Sequence, residues 1–272
     1  MKLSKTQTLD YNVKIHDKIA KRYEHIHYEI YNEIEQNRLK GDLKVAIKNI
    51  NTFSNNRIAI DYGCGAGNLT RHLSDLGMEV IAADISEGFL ALINSRTYKK
   101  NVRTVKLNGY DLSNIPNESV DMIATYSVLH HIPDYLSILT EFLRVLKKGG
   151  IIYIDHESSD SVWINNEDYL NFKKKALFRN KFWLRKFFVL NNYIDFFIRL
   201  FYDSKYRREG DIHVFPESHI EWDRIDNIIQ SNGGEKILDK NYLLFKSDYK
   251  IEIYNRFKND LNDMHLGVYI KA

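Results

Sequence analysis

The sequence has little cysteine and no long hydrophobic run. Its 272 residues include one cysteine, Cys64, so neither a disulfide framework nor a cysteine-based zinc site can form within one chain. The most apolar stretch, FFVLNNYIDFFIRLFY, is broken by Asn, Asp and Arg, which argues against a membrane span. The first 30 residues lack the apolar core of a signal peptide. We therefore expect a cytoplasmic protein.

The composition is typical of a folded globular chain. Apolar residues make up 44% and charged residues 28% of the sequence, which allows a packed core and excludes global disorder. The net charge of +3 indicates no particular class of partner. A chain of this length can form one large domain with an insertion, or two small domains.

Two hydrophobic patterns divide the chain. Up to about residue 50, apolar residues recur every three or four positions, which predicts helices. From residue 57 to about residue 158, short apolar runs such as RIAIDY and MEVIAAD alternate with helical segments. This alternation indicates parallel βαβ units in a sheet that is covered on both faces. Two late strands are expected in KILDKNYLLF and MHLGVYIKA.

The stretch AIDYGCGAGNLT, residues 59–70, joins a predicted strand to a helix through three glycines. Such a loop offers backbone N–H groups at a helix N-terminus, and glycine lets a ligand approach closely. A dinucleotide fingerprint would have its third glycine at Asn68, but here it falls earlier, at Gly67. The acid Asp61 would oppose an anionic pyrophosphate. It would favour a ligand that carries an ammonium and a sulfonium.

Two more acids follow later strands. Asp84 ends EVIAAD, where a parallel sheet presents side chains to a ligand, and its carboxylate can accept both hydroxyl protons of a ribose. Nicotinamide enzymes share that feature, so it does not discriminate. Asp111, in GYDLSNIP, can accept a hydrogen bond from an adenine amino group, or it can cap a local turn.

Four ordered blocks carry a family resemblance: AIDYGCGAG, VIAADIS, GYDLSNIPNESVDMIATYSVLHHIPD and EFLRVLKKGG. Together they resemble a class I S-adenosylmethionine-dependent methyltransferase of small-molecule type, similar to the ubiquinone and menaquinone biosynthesis enzymes. The match spans residues 57–157. It implies an α/β fold with a Rossmann-like, seven-stranded, mostly parallel sheet whose last strand is antiparallel. The two late strands would form the hairpin that supplies this last strand.

The resemblance also implies a binding site for S-adenosyl-L-methionine, whose product is S-adenosyl-L-homocysteine. Asp61 and the loop 63–67 would face the methionine part, and Asp84 the ribose. Asp111 and the Leu112 backbone would take the adenine edge. The implied cofactor-binding residues are Tyr23, Asp61, Gly63, Cys64, Gly65, Gly67, Asp84, Ile85, Asp111, Leu112, Tyr126 and Ser127.

The acceptor side carries weaker signals, because in-line methyl transfer mainly needs positioning and exclusion of water. His131 and His130, in VLHHIPD, are the candidates for a base or an acceptor-orienting group, with a structural role as the alternative. Candidates for the wall of the acceptor pocket are His27, Tyr28, Tyr31, His156, Arg207 and His213.

The predicted organisation has three parts. Residues 1–50 form an N-terminal helical cap, and residues 51–157 and 213–272 form the catalytic domain. Residues 158–212 form a basic, aromatic helical insert that covers the acceptor. Within it, 170–208 contains six lysines and five arginines against two acids. Such a segment suits a lipid-like or anionic acceptor, a carrier protein or an anionic membrane surface; a lid with solvated cations is the alternative.

The predicted function is methyl transfer to the oxygen, nitrogen or carbon of a small acceptor. A methyltransferase acting on RNA or protein is the first alternative, although nucleic acid is disfavoured because the block after the fourth strand reads TYSVLHH rather than Asn/Asp-Pro-Pro-aromatic. A non-catalytic regulator that binds the cofactor is the second. No acidic spacing typical of a metal centre is found, so no metal is expected.

Overall fold

A seven-stranded sheet forms the centre of the protein in the computed structural model, which describes residues 5–54, 56–164, 167–177, 197–200 and 210–272. The strands follow the order β3-β2-β1-β4-β5-β9-β8. The seven strands are β1 (Ile58–Tyr62), β2 (Glu79–Asp84), β3 (Val102–Lys106), β4 (Val120–Tyr126), β5 (Leu146–Ser158), β8 (Gly234–Tyr242) and β9 (Met264–Lys271).

The first five strands of the sheet are parallel, whereas β9 runs antiparallel to both of its neighbours, β5 and β8. The chain starts at the centre with β1 and moves outward through β2 and β3. It then returns to the other side of β1 with β4. This reversal leaves a crevice at the carboxyl ends of β1 and β4, where open α/β sheets bind ligands. The predicted fold class is confirmed.

Helices cover both faces of the sheet. They are α1 (Lys5–Ile19), α2 (Tyr23–Ile26), α3 (Glu33–Lys48), α4 (Asn68–Asp75), α5 (Glu87–Asn94), α6 (Tyr135–Val145), α7 (Glu167–Ala176), α8 (Trp222–Ser231) and α9 (Ile251–Phe257). On one face, Phe142 of α6 and Ile225 of α8 pack into the core; on the other face, Leu39 of α3 and Leu73 of α4 do so. All four side chains are buried, and such burial is the main force that holds helices on a sheet.

The structure adds detail at both ends of the chain. The N-terminal segment forms the three helices α1, α2 and α3, and Asn32 caps α3 by accepting a hydrogen bond from the Glu35 N–H at 3.0 Å. The two late strands are present, but α9 lies in their connection. A short hairpin, β6 (Val214–Phe215) and β7 (Ser218–His219), was not predicted. Two-residue strands have too little periodicity to show in a sequence.

Part of the predicted insert lies within the described residues. Its helix α7 packs against α9, where Phe172 is fully buried beside Tyr249 and Tyr254. The lysines of α7 lie in its last turn. Here the aromatic residues form a local core. Most of 170–208 lies outside the described residues. The predicted domain boundaries stay a prediction. In the described part of the chain, no helix is both long and apolar enough to cross a bilayer.

A buried ionic cluster joins α3 to the end of β5. The Arg38 guanidinium donates hydrogen bonds to Glu35 and, at 3.0 Å, to Asp155. Two tyrosine hydroxyls, Tyr153 and Tyr242, also donate to Asp155, at 2.6 and 2.9 Å. Burial alone would raise the pKa of Asp155, but Arg38 lowers it below the usual value. The carboxylate is therefore charged, and the ion pair fixes the cap on the sheet.

Replacing Arg38 by methionine should leave two buried carboxylates without their cation. Removal of one partner from a buried ion pair costs about 3–5 kcal/mol, so urea unfolding of Arg38→Met should shift to a clearly lower midpoint. Arg224→Met is the control, because Arg224 pairs with Glu221 on the exposed surface. Equal midpoints for the two variants would show that the cluster does not hold the cap.

Candidate active site

A pocket opens at the carboxyl ends of β1, β2 and β4, beneath the N-terminal helices. Its cavity volume is about 100 Å³. Its wall contains one residue that the sequence predicted for the acceptor, Tyr31, and nine that it predicted for the cofactor: Tyr23, Asp61, Gly63, Cys64, Gly65, Asp84, Ile85, Tyr126 and Ser127.

The glycine loop has the backbone shape that its sequence predicts. Gly63 has φ +71°, and a Cβ atom there would lie 2.6 Å from the Val128 methyl groups. Gly67, with φ +82°, is the N-cap residue of α4. Only glycine adopts these conformations without strain. Gly67 is not in the pocket wall; it shapes the start of the helix. The Gly63 and Cys64 N–H groups donate to the Ala83 carbonyl, which fixes the loop against β2.

Asp61 is an acid buried at the end of β1. Its Oδ2 atom accepts a hydrogen bond from the Thr70 hydroxyl at 2.6 Å. Burial raises its pKa to about 7, although the bond from Thr70 opposes the shift. Because a buried carboxylate without a cation is costly, a positively charged group in the pocket would stabilise it.

Asp84 lies beside Asp61, at the end of the adjacent strand. Its two oxygens accept hydrogen bonds from the Gly65 N–H at 2.9 Å and the Ser86 N–H at 2.8 Å. Burial raises its pKa to about 6. The two backbone donors fix the orientation of the carboxylate. Each oxygen has a further lone pair for hydroxyl donors.

Asn68 is a pocket residue that sequence reasoning missed. Its Oδ1 atom accepts a hydrogen bond from the Gln36 side chain at 2.9 Å. Its Nδ2 atom is buried in the pocket wall and has no hydrogen-bond partner among the residues that the structure describes. A buried donor of this kind is rare unless a ligand satisfies it. The signal was its position, directly after Gly67 and at the first turn of α4.

The N-terminal helix α1 covers the pocket. Leu9, Asn12 and His16 contribute to its wall. Asp17 holds the helix in place, because its Oδ1 atom accepts hydrogen bonds from the Gly88 N–H at 2.9 Å and the Ser86 hydroxyl at 2.5 Å. The cap therefore excludes water from the two acids.

Tyr23 and Tyr126 lie on different elements around the pocket. The Tyr23 ring contacts Phe89 edge-on, with centroids 5.2 Å apart. The Tyr126 hydroxyl donates to Glu35 at 3.0 Å. Ser127, which follows β4, has φ +60°.

Burial raises the pKa of Cys64 well above its usual value, so the thiol is neutral and serves as packing.

Asp111 and Leu112 are not brought to the pocket wall. Asp111 accepts hydrogen bonds from the Asn108 side chain at 2.7 Å and the Ser113 N–H at 3.0 Å. The Leu112 N–H donates to Glu141 at 3.0 Å. These bonds correspond to the turn cap, the alternative role of Asp111. Contact of either residue with adenine stays a prediction without support from this geometry.

The two predicted catalytic histidines have different surroundings. His131 lies in the pocket wall, and its ring meets that of His16 edge-on at 5.3 Å. Burial lowers the pKa of His131 well below its usual value, so the imidazole is neutral. His130 lies outside the wall, and its Nδ1 atom is 2.8 Å from Glu157. A catalytic role for either residue stays a prediction.

The remaining acceptor candidates are spread over several places. The His27 ring packs at a tilt of 36° against Tyr23, with centroids 4.2 Å apart, and the exposed Tyr28 donates a hydrogen bond to Asp248. His156 stacks on Tyr126 at 4.5 Å, and burial lowers its pKa to about 3. His213 lies 3.1 Å from the Ile132 carbonyl, in a neighbouring open cleft. The structure brings only Tyr31 of this set into the pocket wall; Arg207 lies outside the described residues.

Comparisons with known proteins define the family. A family model described as "Methyltransferase domain" matches residues 60–154. This segment is a methyltransferase domain. It contains the glycine loop and both buried acids. The family predicted from the sequence is confirmed.

Named relatives match the same domain. A demethylmenaquinone methyltransferase from Staphylococcus saprophyticus is 36% identical over 40% of this chain and 48% of its own. A ubiquinone biosynthesis O-methyltransferase from Ruegeria sp. is 29% identical over 42% of this chain and 46% of its own. The chain thus matches less than half the length of these curated relatives.

A solved structure extends the likeness of fold beyond the methyltransferase domain. An S-adenosylmethionine-dependent methyltransferase from Mesorhizobium loti has a TM-score of 0.54 and 16% identity, and the match covers 85% of this chain and 96% of that one. At this identity the comparison concerns the fold alone.

The buried acid Asp61 should make the ligand-free protein sensitive to pH. Between about pH 4 and pH 7 the folded state binds more protons at this site than the unfolded state, so stability falls as pH rises. The Asp61→Asn substitution removes this pH-dependent loss of stability, and the asparagine oxygen can still accept the hydrogen bond from the Thr70 hydroxyl. The melting temperature of the variant should therefore rise relative to the parent protein between pH 5 and pH 8.

The control is Asp75→Asn, at the exposed end of α4. Its difference in melting temperature from the parent should stay constant over the same pH range. A constant difference for Asp61→Asn as well would contradict a raised pKa at Asp61.

Proposed function

We propose that the protein transfers a methyl group from S-adenosyl-L-methionine to a small acceptor. The observation that carries this proposal is the pair of buried carboxylates, Asp61 and Asp84, in one covered pocket with the glycine loop between them. The names of the relatives agree with this enzyme class and with this cofactor.

The pocket residues fit the cofactor. The Asp84 carboxylate is oriented to accept hydrogen bonds from ribose hydroxyls, and Asp61 lies where a cationic group would offset its burial. The unsatisfied Asn68 Nδ2 donor suits the carboxylate of an amino acid. When bound, the cofactor supplies an activated methyl group on a sulfonium.

The surroundings favour a small acceptor over a polymer. Ser127, Val128, Ile132 and Pro133 line the pocket after β4, and three of them are apolar. Helix α1 closes the pocket from above, which leaves little room for a nucleic acid or a folded protein. These residues would align an acceptor with apolar parts and exclude water from it. We infer an acceptor of the quinone-precursor or acyl type, methylated at oxygen or carbon.

Replacing Asp84 by asparagine should weaken cofactor binding. The variant loses the charge that strengthens hydrogen bonds to ribose hydroxyls, each worth about 1.5–3 kcal/mol. We expect S-adenosylhomocysteine affinity, measured by calorimetry at pH 7.5, to fall by about 10- to 100-fold. Asp75→Asn is the matched control. Unchanged affinity in Asp84→Asn would exclude this pocket as the cofactor site.

Asp111→Asn decides between the two roles of that residue. If Asp111 only caps a turn, the affinity for S-adenosylhomocysteine stays at the parent value, which is the result we expect from the geometry. A loss comparable to that of Asp84→Asn would establish the adenine contact that the resemblance implies.

Transfer of a radiolabelled methyl group tests the acceptor class. We expect incorporation into a prenylated catechol or hydroquinone or into a malonyl thioester, and none into bulk RNA. Asp84→Asn should abolish the transfer. Labelling of RNA alone would contradict a small acceptor, and tight cofactor binding without transfer to any acceptor would favour the non-catalytic regulator.

A further inference from the structure

Three side chains that lie far apart in the sequence meet beside the pocket. The Asp211 Oδ1 atom is 3.4 Å from the His131 Nδ1 atom and 3.9 Å from the His130 Nε2 atom. All three donor atoms lie within 4.8 Å of one another. We propose that His130, His131 and Asp211 bind a divalent transition-metal ion of the zinc type.

The distances between the donor atoms fit such an ion. With metal–ligand bonds of about 2.0–2.1 Å, two ligands of a tetrahedral zinc site lie about 3.4 Å apart. The separation of Asp211 from His131 has this value, and that from His130 exceeds it by 0.5 Å. Both distances lie within reach of one ion after small side-chain rotations of the three ligands.

A contact at the Nδ1 atom of His130 fixes the ring so that the Nε2 atom would face the metal ion. Its Nδ1 atom lies 2.8 Å from the buried Glu157 carboxylate. Glu157 is itself fixed, because it accepts hydrogen bonds from the Val128 and Leu129 N–H groups at 2.9 and 2.7 Å. Metal-binding histidines commonly donate their second nitrogen to a carboxylate in this way, which leaves the other lone pair for the metal.

The backbone also holds Asp211 in place. The N–H groups of the next two residues, Ile212 and His213, donate to the His130 carbonyl at 2.9 and 3.1 Å. On the other side, the Asn12 side chain donates to the His131 carbonyl at 3.3 Å. These contacts connect the segment at 210–213, the paired histidines and helix α1. The three donor atoms are therefore positioned by the fold rather than by chance on a mobile surface.

The chemical type of the three ligands determines which metal ions would bind best. Two imidazoles and one carboxylate suit zinc and its transition-metal neighbours, whereas magnesium and calcium prefer sites made of oxygen ligands. Three protein ligands leave one tetrahedral position open, as in catalytic rather than structural zinc sites. His131 belongs to the pocket wall, so the open position is next to the pocket.

This placement gives the ion a role that rests on the proposed function. A metal ion beside the pocket can bind an acceptor oxygen and lower the pKa of its hydroxyl group. The oxygen would then lose its proton to solvent and attack the methyl carbon, whose bond to sulfur would break as S-adenosylhomocysteine leaves. The paired histidines would act as ligands that position the acceptor, not as a general base.

Zinc binding can be measured without any acceptor. We expect one equivalent of Zn²⁺ to bind the purified protein at pH 7.5 in competition with a chromogenic chelator. Asp211→Asn and His130→Gln should each weaken this binding by at least about 10-fold. His219→Gln is the matched control, because His219 is a half-buried histidine outside the cluster and its loss should leave the affinity unchanged.

Crystals grown with Zn²⁺ should show an anomalous peak about 2.0–2.2 Å from the three donor atoms. Zinc bound only at other histidines would overturn the proposal, and so would equal affinities of Asp211→Asn and the parent protein. A polar contact between Asp211 and His131 without metal would then explain the geometry. Melting curves of each variant show whether the fold is intact.

Calorimetry with S-adenosylhomocysteine separates this proposal from the proposed function. Asp211 is outside the pocket wall, so Asp211→Asn should retain cofactor affinity while it loses zinc. Zinc binding in a protein that does not bind the cofactor would support the metal site and contradict the methyltransferase. Cofactor binding in a protein that does not bind zinc would support the enzyme and contradict the metal site.

Discussion

The burial of two carboxylates at adjacent strand ends is the constraint on which the site depends. Asp61 and Asp84 are nearly inaccessible to solvent, and burial raises the pKa of both. A fold that only needed stability would not place two acids there, because each loses hydration. Backbone N–H groups, the Thr70 hydroxyl and the cover formed by α1 keep them in position. The lost hydration of the two carboxylates destabilises the free protein. A cationic ligand that donates hydrogen bonds would remove this destabilisation, and its binding would be tighter for that reason.

A second buried charge cluster joins another helix of the N-terminal segment to the sheet. Arg38 joins α3 to Asp155 at the end of β5, and Tyr126, whose hydroxyl bonds to Glu35, extends from the same cluster to the pocket wall. The cap and the sheet therefore do not meet through apolar packing alone. Asp17 adds a second attachment at the start of α5. Together these polar contacts determine how tightly the pocket is closed.

Much of the central fold could be predicted from the sequence, because its signals are local. The apolar run 58–62 followed by glycines, and the acid that ends β2, need only their own neighbours to be recognised. Asn68, Glu157 and Asp211 could not be found in this way. Their roles arise from side chains or carbonyl groups on other elements: Gln36 for Asn68, and His130 for the other two. Asp111, which the family pattern assigns to adenine, accepts hydrogen bonds within a local turn, and its adenine contact stays a prediction.

The sequence by itself determined the alternation of strands and helices from residue 57 to about 158, the shape of the glycine loop and the placement of two acids at the ends of two strands. Right-handed βαβ connections make these features follow from short-range pattern. Tertiary structure alone decided which residues close the pocket and which meet beside it. His131 and Asp211 approach within 3.4 Å because the backbone at 212 and 213 is hydrogen-bonded to the His130 carbonyl. No local pattern of residues encodes such a long-range bond.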